Sequence, residues 1–377
     1  MTDERRVFVG TLVLLLAVSA VAGVASSGQQ SPAGPVDVAP SDSEYEVTEA
    51  GVRYTVHPNE LQQGCPGGTD CIPSIDDPRF QSAGAADWLE PDDLVVGVEV
   101  DGEARAYPLR ILTVHEIVND RIAGEPIAVT YCPLCRSGLV FSREVGNATL
   151  EFGVSGKLHD ANLVMYDRET GTYWSQLDGN AIVGPQVPRS LRILPSSITT
   201  WERWERGHPE TAVLSRDTGV YPASVYGSDP YAGYANSSRV GFGVDRVDER
   251  LPTKELVYGV TVGGASTAYP ESVVRSRGVI NDEVGGVPVL VVEAPDDGSV
   301  RVFVRETANG TRSFDAGDGV LVDDRGHRWG YDGEALDGPG AGTRLERLPT
   351  HGVYWFAWSS FNPETGVYGD DTTGPTE

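Results

Sequence analysis

Residues 94–112 read LVVGVEVDGEARAYPLRIL, and residues 256–274 read LVYGVTVGGASTAYPESVV. In the first stretch apolar residues alternate over 94–100, Asp101-Gly102 is a tight-turn signal, and 103–107 returns, which is the pattern of a β-hairpin. Pro108 suits the first position of a short helix, expected to run to about residue 118. The same string recurs 162 residues later, and the match continues outward at that spacing. Asn119-Asp120 meets Asn281-Asp282, Gly124 meets Gly286, Phe141 meets Phe303, and Phe152 meets Phe314. Farther on, Asp167-Arg168 aligns with Asp324-Arg325, Trp174 with Trp329, and Trp201 and Trp204 with Trp355 and Trp358. Ordered agreement over this length reads as an internal duplication.

The fold class expected from this pattern is mainly β, a β-rich α+β chain of two similar halves with short helices. Strands are expected at 127–131, 139–143, 150–154, 163–167 and 172–176, and a short helix at 198–206. The organisation reads as follows: a leader or anchor over 1–25, a linker over 26–44, and an N-terminal segment over 45–93. The first repeat spans 94–219, a tyrosine-rich connector 220–255, the second repeat 256–369, and an acidic tail 370–377.

Composition narrows the functional classes. The chain of 377 residues has 55 Asp and Glu against 29 Lys and Arg, a net charge of −26. Phosphate-backbone binding needs a basic face, so nucleic-acid binding is excluded, as is a role on an anionic membrane surface. Lysine occurs only at Lys157 and Lys254. An acidic, lysine-poor chain of ordinary apolar content fits a halophilic protein, because high salt screens the self-repulsion of such a charge. Arg5-Arg6, the apolar run from 7 to 24 and the small residues Ala20, Ala22, Gly23 and Ala25 read as an export signal of twin-arginine type, or as a membrane anchor. The expected location is therefore extracytoplasmic, with membrane contact only through this segment. Asn147, Asn236 and Asn309 head glycosylation tripeptides that agree with that placement.

The two copies act as an internal control. Residues present in both are expected to hold the fold. The first copy alone carries His115, Glu116, Cys132, Cys135, His159 and Met165; the second has Arg277, Gly278, Ala294 and Asp297 opposite the first four. Any chemical site is therefore expected in the first half. Cys65 and Cys71 bracket a small loop and read as a disulfide. Cys132-Pro-Leu-Cys135 follows an expected buried strand, and three readings compete for it: a structural disulfide, a thiol–disulfide redox pair, or half of a metal site. In the metal reading His115, Glu116, His159 or Met165 completes the ligand set, and sulfur with imidazole suits copper or zinc. Glu116 would orient the imidazole of His115.

The chain resembles a family of exported or anchored proteins known only as domain-of-unknown-function family 3179. The resemblance rests on Ile72-Pro-Ser-Ile-Asp76, Ala104-Arg-Ala-Tyr-Pro-Leu109, His115-Glu-Ile-Val-Asn-Asp120, Val129-Thr-Tyr-Cys-Pro-Leu-Cys135, Gly153-Val-Ser-Gly156, Met165-Tyr-Asp-Arg168 and Asp229-Pro-Tyr231. It implies that His115, Glu116, Cys132 and Cys135 form the family signature, and it implies no activity. The sequence thus points to a site centred on Cys132 and Cys135 that binds a transition metal or performs redox work. The competing class is a non-catalytic extracellular module with two structural disulfides.

Overall fold

A computed structural model describes residues 44–244 and 246–369. The expected leader and acidic tail lie outside the described residues. Among the described residues no helix is long and apolar enough to cross a membrane.

The chain is β-rich. Leu94–Val100 and Glu103–Pro108 pair as the expected antiparallel hairpin, with Val100 opposite Glu103. Its turn residues Asp101 and Gly102 both have positive φ, 50° and 81°, matching the right-handed twist of the strands they join. The hairpin sits in a sheet ordered Ser196–Thr200, Leu94–Val100, Glu103–Pro108, Ala212–Leu214, Phe80–Ser82. Helix α1 (Leu109–His115) follows. A second sheet is ordered Ile193–Leu194, Ser137–Ser142, Glu125–Cys132, Ile117–Ile122, and a third contains Phe152–His159, Asn162–Asp167 and Tyr173–Ser175.

Beyond residue 255 two four-stranded sheets are similar to the first two, with no counterpart of Phe80–Ser82 among the described residues. One sheet runs His351–Tyr354, Leu256–Val262, Ala265–Pro270, Gly366–Val367; another runs Val279–Val284, Val287–Glu293, Val300–Val304, Arg347–Leu348. The residues matched in sequence make matched contacts. Tyr107 Oη donates to Asp120 at 2.6 Å, and Tyr269 Oη to Asp282 at 2.8 Å. Asn119 clamps the backbone of Phe152, and Asn281 that of Phe314. Helix α2 (Trp201–Gly207) lays Trp204 on Gly97, where a Cβ would come within 2.3 Å of the indole; helix α4 (Trp355–Phe361) does the same with Trp358 on Gly259, at 2.0 Å. A bare glycine on each central strand is what lets each indole reach the sheet.

Three local expectations are corrected. Helix α1 stops at His115, because Glu116 turns left-handed at φ 60° and the β-branched pair Ile117-Val118 starts a strand. The segment expected as a helix over 198–206 begins as strand Ser196–Thr200, its threonines extended, and becomes helical only at Trp201. The partner of Asp167 is Asp323, not Asp324: Trp174 donates to Asp167 at 2.9 Å and Trp329 to Asp323 at 3.2 Å.

Candidate functional site

The strand Glu125–Cys132 delivers the first cysteine to the core, and residues 133–136 turn the chain back into Ser137–Ser142, with Cys132 opposite Ser137. Cys132 is 1% exposed and Cys135 0%. Both are free thiols, whereas Cys65 and Cys71 are joined as a disulfide, as expected.

The two sulfurs have different surroundings. Cys132 Sγ has the carbonyl of Ala161 at 3.8 Å, its partner thiol and a backbone hydrogen bond from Cys135. Cys135 Sγ lies 3.1 Å from Ser137 Oγ and accepts from Asn162 Nδ2 at 3.0 Å. Ser137 and Asn162 are themselves held by Gln176 Oε1 at 2.7 and 2.9 Å, and Gln176 Nε2 donates to Thr130 at 3.0 Å. Burial disfavours charge on either sulfur. At Cys135 hydrogen bonds from Cys132, from Asn162 and from the backbone N–H of Ser137 outweigh burial and bring the thiol below its ordinary value. At Cys132 burial, and then the neighbouring Cys135, push the thiol well up. The surroundings thus favour charge on Cys135 over charge on Cys132.

The second half shows the same turn with an oxygen anion. Asp297 stands 162 residues after Cys135, and its carboxylate accepts from Ser299 N at 2.8 Å, Ser299 Oγ at 2.6 Å and Arg301 at 2.6 Å. Against the cost of burial, contacts from His208, Arg301 and Ser299 hold it well below the usual carboxylate range.

Glu116 completes the site. It caps α1 in the left-handed region, where Gly278 does the same service for helix α3 (Glu271–Arg277) at φ 69°. A side chain costs about 1 kcal/mol or more there, which glycine avoids. The carboxyl is 8% exposed, and burial, followed by the nearby Cys135, raises it from 4.5 to about 8. Its charge and that of Cys135 thus oppose one another.

Other candidates are placed elsewhere. His115 is fully buried, and both ring nitrogens are engaged: Nδ1 with Pro73 O at 2.7 Å and Nε2 with Tyr226 Oη at 2.8 Å. Burial lowers its pKa, so the neutral ring donates through Nδ1 and accepts from the tyrosine. Neither nitrogen is left for a metal. His159 ends its strand opposite Asn162, edge-on to Phe361 at 5.3 Å. Met165 is a core residue paired with Trp174 and Val154. Among the described residues no group of three His, Cys, Asp or Glu is placed to hold a metal ion. Asn147, Asn236 and Asn309 are all exposed.

The sequence reading missed Ser137, Asn162 and Gln176. Ser137 was masked by its match to Ser299, and Asn162 falls in the stretch without a counterpart. It missed the second half's share as well: Tyr354 N donates to Cys135 O at 2.9 Å, and Trp355–Trp358 pack into the core that contains the sulfurs. The connector covers the pair, with Tyr231, Tyr234 and Val240 on that core and Gly241 against Leu134.

A family model described as "Protein of unknown function (DUF3179)" matches residues 69–365. The chain belongs to the DUF3179 family. The match embraces both halves, the Cys-Pro-Leu-Cys turn and Glu116. No curated protein and no solved structure matches the chain.

Proposed function

We propose that Cys132 and Cys135 form a thiol–disulfide redox centre in an extracytoplasmic, salt-adapted protein built from two copies of one lobe. The observation that carries the reading is the unequal treatment of the sulfurs. Cys135 accepts from the Asn162 side chain and from the Ser137 backbone N–H, which favour its thiolate, while burial favours the protonated form of Cys132. A structural pair needs no such difference, and a two-thiolate metal site would favour both sulfurs alike.

In the reducing direction the Cys135 thiolate attacks one sulfur of a substrate disulfide, forming a mixed disulfide and releasing one thiolate. Glu116, neutral at first, protonates that leaving thiolate; the carboxylate so formed takes the Cys132 proton, and the Cys132 thiolate attacks Cys135 Sγ. The Cys132–Cys135 disulfide forms, the second thiolate leaves, and Glu116 returns the proton to a leaving thiolate. Two electrons pass from the dithiol to the substrate disulfide. The reverse sequence oxidises a substrate dithiol. With both sulfurs buried, exchange requires the connector around Tyr231 and Tyr234 to part.

The roles are tested by trapping. Full-length Cys132→Ser should accumulate a mixed disulfide at Cys135 with a small aromatic disulfide, and Cys135→Ser should react at least about tenfold more slowly. Equal rates would overturn the assignment. Stoichiometric copper or zinc in protein purified natively in high salt, lost in Cys132→Ser, would replace the redox reading with a metal site.

A further inference from the structure

A cleft of about 330 Å³ lies between the two halves, with Ser196–Thr200 on one side and the 350–352 segment on the other. Three arginines line it. Arg203 is paired with Glu293 at 2.9 Å and Arg275 with Glu271 at 2.9 Å. Arg136 has no carboxylate within ion-pair distance among the described residues, although it is half-buried in a chain with a large excess of acid. Its backbone is also costly: φ is 55°, and at the matching position the second half has Gly298 at φ 68°. A left-handed backbone is unfavourable for a residue with a side chain, so its presence where glycine would serve marks a residue kept for its guanidinium.

The rest of the wall indicates the complement. Leu94, Ile198 and Leu256 supply apolar surface and Tyr258 an aromatic face. His351 also lines the cleft, and its Nε2 is buried without a hydrogen-bond partner. Asp92, Glu202 and Glu271 also line the cleft, the last two paired with Arg206 and Arg275; the guanidinium of Arg136, in no ion pair among the described residues, offers a planar fork that fits a carboxylate at two points. A dianion would need a second free cation, and the other two arginines are already neutralised.

We infer that this cleft binds a small organic monocarboxylate with an apolar body, its carboxylate on Arg136 and its body against Leu94, Ile198, Leu256 and Tyr258. The inference concerns binding alone and stands whether or not the cysteines exchange disulfides.

Calorimetric titration of the full chain in molar potassium chloride tests it, with hexanoate, benzoate and neutral hexanamide as probes. Saturable binding of a carboxylate is expected, at least about tenfold tighter than hexanamide. Arg136→Gly, which gives the turn the residue found in the second half, should fold with an unchanged or raised Tm and lose at least about tenfold in affinity. Absence of carboxylate binding at millimolar concentration, equal binding of hexanamide, or undiminished affinity in folded Arg136→Gly would each overturn the inference.

Discussion

Glu116 is the residue at which the account is most exposed. Its carboxyl ordinarily titrates at 4.5 and is raised to about 8 by burial and by Cys135. The folded chain therefore holds this proton where the unfolded chain has released it. Stability should fall as pH climbs from about 5 and level off above about 8, since between those limits the native state binds more protons than the unfolded one. The full penalty above that window is on the order of 4 kcal/mol. Glu116→Gln keeps the shape and carries no charge, so it should match the parent near pH 5 and exceed its stability by several kcal/mol at pH 9. Denaturant unfolding of both proteins across that range in fixed high salt measures the difference, and the thiols common to both largely cancel. In a Cys135→Ser background the difference should shrink, because one of the two causes is removed. A stability difference that does not change with pH would refute the claim that this carboxyl is buried, neutral at pH 7 and available for proton transfer.

The hydrogen bonds at Cys135 make a second prediction. Asn162→Ala should raise its thiol pKa by about one unit or more, read as a shift in thiolate absorbance with pH, since a hydrogen bond to a charged group is worth about 1.5–3 kcal/mol. An unmoved titration curve would remove the basis for the thiolate. Third, Gly97→Ala and Gly259→Ala should each destabilise by about 1–3 kcal/mol, because the added methyl meets Trp204 or Trp358 at little more than 2 Å; thermal unfolding of either variant at the parental Tm would contradict the packing described.

Much of the scaffold was legible because its determinants are local or repeated. Alternation over 94–107 with Asp101-Gly102 between the strands specifies the hairpin, and the Tyr-Pro, Asn-Asp and Trp residues that recur hold matching contacts in both halves. The end of α1 was not legible because no glycine marks it, whereas Gly278 marks the end of α3. The Asp167 match slipped by one residue because Asp323 and Asp324 are adjacent and only the bond from Trp329 distinguishes them. At the site, the cysteines and Glu116 were found by their absence from the second copy. The partners of His115 were not, since Pro73 and Tyr226 lie 42 and 111 residues away and no spacing rule connects them. Asn162 and Gln176 escaped for the same reason: polar residues that act across a fold leave no local signature.

The most direct test of a redox centre is equilibrium in defined thiol–disulfide buffers. The full chain would be held at graded ratios of reduced to oxidised glutathione in high salt, quenched with an alkylating reagent and counted cysteine by cysteine by mass spectrometry. The account predicts a reversible, two-electron transition confined to Cys132 and Cys135, with Cys65–Cys71 oxidised throughout. Cys132 and Cys135 remaining reduced at every ratio, or changing only together with Cys65–Cys71 as the protein unfolds, would contradict it.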